Sequence, residues 1–453
     1  CYMAYYTMCL YSNNFNITFK LFLYKNKSIY MVCYYFRNFI NYTNTNNYST
    51  NCSIYFRKIY KNEINTFINL LIEARDQDRQ IFIMGNGGSA AKVQKIMKNL
   101  EKYYMANKSD NIYFALLGDC TAGKNETEKF DEEVINAGIE EAQKLNNKYP
   151  DGTFTKFNFL YRKRVWNTSE ECYLGWERKR GLLNQFNEYI LGKSKSEFLI
   201  NTIENSKEKF GQIPNIKYVI TLDSDTELCL NTGLEMIGAM AHILNRPVLN
   251  HKQDLVIDGH GLIQPRVGIS LEDIQKSYFT KLYAGSGGKD AYTNAISDIY
   301  QDNFEEGIFT GKGIYDLPVF SAVLANEIPE NTVLSHDLLE GSYLRCGLAS
   351  DIIFLDGYPA KYLSFMNRLS RWIRGDWQIK KWLKSKLNTL SKFKILDNLR
   401  RSLIEISVII LLIWNLLFLN KNKTLSLISL GIIIYPFILE FFSKIFLRVC
   451  QNA

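Results

Sequence analysis

The chain contains no C-x-x-C pair, its nine cysteines are scattered, and it holds only four histidines. Those absences argue against a disulfide framework and against a zinc site, and isolated thiols fit a reducing compartment. A strong excess of one charge is missing too. The formal net charge is +8, which is moderate, so its distribution matters more than its total and no nucleic-acid partner is expected. Residues 1–60 lack an unbroken apolar run, because Lys and Arg interrupt the longest ones; neither a signal peptide nor a spanning helix is expected there. No methionine opens the chain: it starts at Cys1 and ends "LRVCQNA" after an apolar stretch, the pattern expected of part of a longer protein.

What is present is length and apolar content. With 453 residues, 47% hydrophobic and 22% charged, two or three domains with a substantial core are expected. Residues 1–60 are rich in Tyr and Asn ("NYTNTNNYSTNCS") and read as low-complexity. Residues 61–91 read as a helix, a strand and a Gly-rich turn, where Gly85, Gly87, Gly88 and Ser89 can offer backbone N–H groups to a phosphate. That piece resembles the start of a phosphosugar isomerase domain, but the likeness stops near Ala91. A structural turn or a foreign scrap is the plainer reading.

From Ala91 onward, helices alternate with the apolar strands "NIYFALLGD", "FNFLYRKR" and "KYVITLDSD". Such alternation predicts an α/β fold, with a parallel sheet covered on both faces. Ligands of these sheets bind at the carboxyl ends of the strands, where Asp119, Arg162, Arg164, Asp223 and Asp225 fall. The last quarter differs. Residues 368–401 hold eleven Lys or Arg against two acids, interleaved with Trp372, Trp377 and Trp382, which reads as basic amphipathic helices at a membrane surface. Two apolar runs of eighteen residues follow, 402–419 and 425–442, and predict a pair of spanning helices. The cationic bias upstream of them puts the preceding domain on the cytoplasmic side.

Asp223 and Asp225 are two carboxylates one residue apart where a strand breaks, and together they can approach one hard cation. Mg²⁺ takes few carboxylates and completes its shell with water and substrate phosphates, which suits a nucleoside diphosphate. A turn with an Asx cap explains the same residues. In "GWERKRGLLNQFN", Lys179 and Arg180 can meet a pyrophosphate or simply begin a solvated helix. In "EGIFTGKGIYD", Gly311 and Gly313 let backbone approach a sugar, and Lys312 adds positive charge. His336 and Asp337 open a helix, where Asp337 can act as a base or as an N-cap. Arg368, Arg371 and Arg374 cluster with Trp372 and Trp377, suited to phosphate and a sugar face or to lipid headgroups.

The order "LDSD", "GKG", "SHD", "RLSRW" resembles the membrane-embedded GT-A glycosyltransferases that carry D-x-D, T-E-D and Q-x-x-R-W motifs. His336 replaces the acid before Asp337, and Arg368 replaces the Gln. Longer stretches, "GHGLIQPRVGISL", "AYTNAISDIYQDNFEEGIFTGKGIYD", "VLSHDLLEG" and "RWIRGDWQI", narrow the likeness to the glucosyltransferase region of cyclic β-1,2-glucan synthases, over about residues 92–400. The resemblance implies a GT-A type sheet flanked by helices, then interfacial helices and a transmembrane hairpin over 402–442, at a bacterial inner membrane. It further implies UDP-glucose as donor, a growing glucan as acceptor, a lipid bilayer as partner, and Mg²⁺ or Mn²⁺ on Asp223 and Asp225. Asp337 is then the general base of an inverting transfer. Asp119, Lys179, Arg180, Arg371 and Trp372 line the nucleotide-sugar site, and Gly311, Lys312, Gly313, His336, Arg368 and Arg374 complete the donor and acceptor pocket. A processive β-1,4-type polysaccharide synthase and a non-catalytic sugar-nucleotide-binding fragment are the alternatives.

Overall fold

The computed structural model describes residues 90–438, apart from 285–297 and a scatter of single positions and short stretches. The low-complexity segment and the Gly-rich turn at 85–89 therefore lie outside the described residues. The chain divides into two units, one over Asn86–Ser402 and one that includes the residues from Leu403 on.

In the larger unit, two sheets carry the fold. The first has the order β1 (Phe114–Gly118), β2 (Phe157–Arg162), β5 (Phe198–Asn201). β1 and β2 run parallel, as the alternating pattern predicts, whereas β5 returns antiparallel. β2 is buried along its whole length because both faces are covered. Phe157, Phe159 and Tyr161 pack under the helices Ala90–Ala106 and Lys129–Lys148 with Val93, Met97 and Val134. On the opposite face, Leu160 packs with Tyr189 and Ile203. Burying one such ring or aliphatic side chain contributes about 1.5–3 kcal/mol, which is why four of this strand's six residues are Phe, Leu or Tyr.

The second sheet has the order β6 (Tyr218–Thr221), β11 (Gly313–Asp316), β10 (Leu262–Ile269), β12 (Gly347–Asp356), β7 (Thr226–Leu228). Only β10 and β12 are parallel; β11 runs antiparallel to both of its neighbours, β6 and β10. The sheet is thus mixed rather than parallel. Two small antiparallel ribbons, β3 (Val165–Asn167) with β4 (Cys172–Leu174) and β8 (Val248–Leu249) with β9 (Val256–Asp258), lie outside it. Asp316 ends β11 and turns the chain at once into the helix Leu317–Leu324, its carboxylate accepting from Val319 N at 3.2 Å. That helix and the helix Asp337–Tyr343 supply Phe320, Val323, Leu339 and Tyr343 to the largest apolar core.

The predicted pair of spanning helices is not found. Among the described residues no helix is long and apolar enough to cross a membrane. The first apolar run instead forms the second half of one helix, Thr389–Phe418, whose first half is basic. The second run is described only in part. Within that smaller unit Ile406, Ile410, Trp414 and Leu417 are exposed, and Asn415 donates to Ser426 at 2.6 Å.

Candidate active site

The centre of the site is the turn between β6 and β7. β6 pairs with β11 in a register that sets Thr221 against Gly313, so the Gly311–Lys312–Gly313 turn runs beside Leu222 and Asp223. Both glycines are required. Gly313 has φ +154°, and a Cβ there would lie 2.2 Å from the Ile263 carbonyl oxygen. Gly311 has φ +88°, and a Cβ on it would lie 3.0 Å from both carboxylate oxygens of Asp337. The absent side chain is what allows Asp337 to reach the turn.

Asp223 is held by two ammonium groups. Lys179 Nζ lies 2.5 Å from its Oδ1 and donates to the Gly311 carbonyl at 2.9 Å. Lys312 Nζ lies 3.1 Å from Oδ2 and 3.0 Å from Asp356 Oδ2. Asp356 is buried and accepts from Thr226 Oγ1 at 2.8 Å, while Thr226 Oγ1 accepts from Asp223 N at 3.3 Å. The result is a closed polar network across three strand ends. Burial disfavours the charge on Lys312, but Asp223 and Asp356 outweigh it and push its pKa up. Lys179 shifts the same way: burial opposes the charge, and Asp223 and then Asp337 overcome it.

Asp225 sits further out, 41% exposed on its side chain. Its carbonyl accepts from Gly357 N at 3.0 Å, and its Oδ2 lies 3.8 Å from Arg368. The Arg368 guanidinium lies 6.0 Å from the Trp372 ring centroid, and its Nη1 is buried with no hydrogen-bond partner among the described residues. Arg371 and Arg374 are exposed on the same helix, Tyr362–Gln378.

Asp337 is the first residue of its helix. His336 takes the N-cap position without a side-chain capping bond, so Asp337 is not spent as a cap. His336 Nδ1 lies 2.8 Å from Glu340 and 3.8 Å from Asp337. Burial opposes the imidazolium, but the Glu340 and Asp337 carboxylates overcome that and raise its pKa. Burial raises the Asp337 pKa, and His336 and Lys179 offset it only in part. Asp337, His336, Glu340, Lys179, Thr221 and Gly311 line one small cavity with aromatic neighbours. Chemically, this assembles a carboxylate of raised basicity, two fixed ammonium groups, and oxygen donors of the kind a hard divalent cation takes.

No family model matches the chain. Over 320 residues, 70% of the chain, it is 40% identical to the cyclic β-(1,2)-glucan synthase NdvB of Rhizobium meliloti (strain 1021). The matched residues belong to the cyclic β-(1,2)-glucan synthase family. The match spans 11% of the length of that relative.

Within this member of the family, two of the predicted site residues are used internally. Asp119 forms a bidentate pair with the buried guanidinium of Arg162, at 2.8–3.1 Å, and Arg162 also donates to the Trp176 carbonyl. Arg180 is buried, donating to Glu177 at 2.7 Å and to the Ile328 carbonyl at 2.9 Å. Both pairs anchor the turn that presents Lys179, its neighbour. Arg164, just past the end of β2, is likewise paired with the buried Asp131 at the start of the helix Lys129–Lys148. The structure also adds Asp356, Thr226 and Glu340, which the motif reading passes over. Asp356 carries a legible signal: like Asp223, it is an acid ending an apolar strand ("DIIFLDGYP").

Proposed function

We propose that the chain carries the glucosyl-transfer step of a cyclic β-(1,2)-glucan synthase, moving glucose from UDP-glucose onto a growing glucan with inversion. The observation that carries the reading is the meeting of Asp337 with the Lys179–Asp223–Lys312 cluster around Gly311, in a chain 40% identical over 320 residues to a glucan synthase.

In this reading Asp337 takes the proton of the acceptor 2-hydroxyl as its oxygen attacks the anomeric carbon. The bond from that carbon to the diphosphate oxygen breaks, and UDP leaves with the electron pair. The raised basicity of Asp337 suits the task, since a general base works best when its pKa approaches the working pH. Lys179 and Lys312 offset the negative charge of the diphosphate, and Arg368 adds a guanidinium beside Asp225. Glu340 lies 2.8 Å from His336 Nδ1 and raises its pKa beside Asp337. Asp223 and Asp225 would hold Mg²⁺ or Mn²⁺, which when bound supplies Lewis-acid stabilisation of the leaving group. The fit is supported by the donor chemistry, two carboxylates one residue apart, with the Asp225 side chain 41% exposed. The basic segment 368–401 and the exposed apolar face that follows it support seating at an anionic lipid surface.

Incubating the chain with labelled UDP-glucose, Mn²⁺ or Mg²⁺ and a β-1,2-glucan primer tests the proposal. Incorporation in β-1,2 linkage is expected. Product in β-1,4 linkage would assign a different polymerase, and tight UDP binding without incorporation would make the domain a binding module.

A further inference from the structure

The two ammonium groups on Asp223 are not equivalent. Lys312 comes from within: its side chain is 5% exposed and it also pairs with the buried Asp356. Lys179 comes from the first turn of the helix Arg178–Ile190, with 38% of its side chain exposed and a flexible stem behind the charge. Among the described residues it donates to the Asp223 carboxylate and to one backbone carbonyl. The contact to Oδ1, at 2.5 Å, leaves no space between them for a cation that binds oxygen at about 2.0–2.1 Å. A divalent ion on that oxygen and Lys179 in its present place exclude each other. Charge leads to the same conclusion. One carboxylate already faces two positive groups, so a dication gains little there unless one of them departs or phosphates arrive.

We infer that Lys179 is a resident counter-cation of Asp223. It holds the position of the divalent ion on Oδ1 while the site is empty of nucleotide, and moves onto the phosphates when cation and nucleoside diphosphate enter together. The inference rests on the proposed role of Asp223 and Asp225 as cation donors. Its consequence is that the free protein binds metal weakly, and that metal and nucleotide strengthen each other's binding through Lys179.

The test is Mn²⁺ binding to the full chain, read from the electron paramagnetic resonance signal of the free ion, with and without UDP. Lys179→Met should bind Mn²⁺ about tenfold more tightly than the unaltered protein when UDP is absent, within the usual range of coupling between sites. UDP should then improve Mn²⁺ affinity less in this variant than in the unaltered protein. Lys179→Arg, which keeps the charge, should retain weak metal binding and strong coupling. Equal or weaker Mn²⁺ affinity in Lys179→Met overturns the inference, as does a UDP effect of the same size in both proteins. If Asp223→Asn binds Mn²⁺ as well as the unaltered chain, the donor assignment itself fails and the inference falls with it. That outcome is distinguishable because it appears in the Asp223 variant and not in the Lys179 pair.

Discussion

Lys312 Nζ lies 3.1 Å from Asp223 and 3.0 Å from Asp356, so one buried ammonium ties together the ends of β6 and β12. Replacing it by methionine removes the ammonium that pairs with the fully buried Asp356 carboxylate. Breaking a buried pair in this way costs about 3–5 kcal/mol. Lys312→Met should therefore lower stability in urea unfolding by that order. Asp356→Asn, which keeps the Thr226 contact, should cost less.

Adjacent residues should behave oppositely. Arg180 is buried against Glu177, whereas Lys179 is partly exposed. Arg180→Met should destabilise the fold by about 3–5 kcal/mol, while Lys179→Met should leave the thermal midpoint nearly unchanged. Equal losses in a thermal scan would contradict the division of labour between them.

Asp337→Asn should reduce turnover by about 10²–10⁴-fold, the usual contribution of a general base. UDP affinity, measured by calorimetry, should stay within a few-fold. The folded-state pKa of Asp337 is raised, so the folded protein binds this proton more tightly than the unfolded chain. Ionisation above that pKa thus costs stability. The Asn variant should unfold at a slightly higher temperature at neutral pH, and the gain should vanish as the pH falls through the raised pKa.

The same shift sets the pH profile. The acidic limb of kcat/KM, which reports the free enzyme, should show a pKa above the ordinary carboxylate value of 3.8. Activity should rise with pH through it, because only the ionised carboxylate can accept the proton. In Lys179→Met the limb should move up further, since Lys179 favours the ionised form. A limb that stays put or moves down would remove Lys179 from the surroundings of the base.

Gly313→Ala and Gly311→Ala should separate folding from function. At Gly313 the new methyl group would meet the Ile263 backbone at 2.2 Å, which no side-chain movement relieves, so the sheet itself should be damaged. At Gly311 the neighbours are the Asp337 oxygens at 3.0 Å. That variant should fold with a loss of about 1–2 kcal/mol for the left-handed backbone, and its turnover should fall more than its stability. Denaturant unfolding and kcat on the two proteins check this.

Several features were legible because they depend on neighbours along the chain. Buried strands need apolar runs, so "NIYFALLGD", "FNFLYRKR" and "KYVITLDSD" mark β1, β2 and β6, and an acid after such a run marks a strand end. The motif order was enough to indicate the family. The apolar runs after residue 401 predict two spanning helices, whereas among the described residues the first run continues a basic helix and no helix is long and apolar enough to cross a membrane.

Other features depend on residues far apart in the chain. The antiparallel course of β11, and not any local pattern, lays Lys312 beside Asp223. The parallel pairing of β12 with β10, and its contact with β7, bring Asp356 to Thr226, 130 positions away. Arg180 reads as a pyrophosphate contact and Arg162 as a residue at a ligand-binding strand end, but burial obliges each to find a carboxylate within the protein. Local sequence set which groups stand at the strand ends. Register and burial, which arise only when the sheets assemble, decided which of those charges are paired inward and which, like Lys179 and Asp337, still face the cavity.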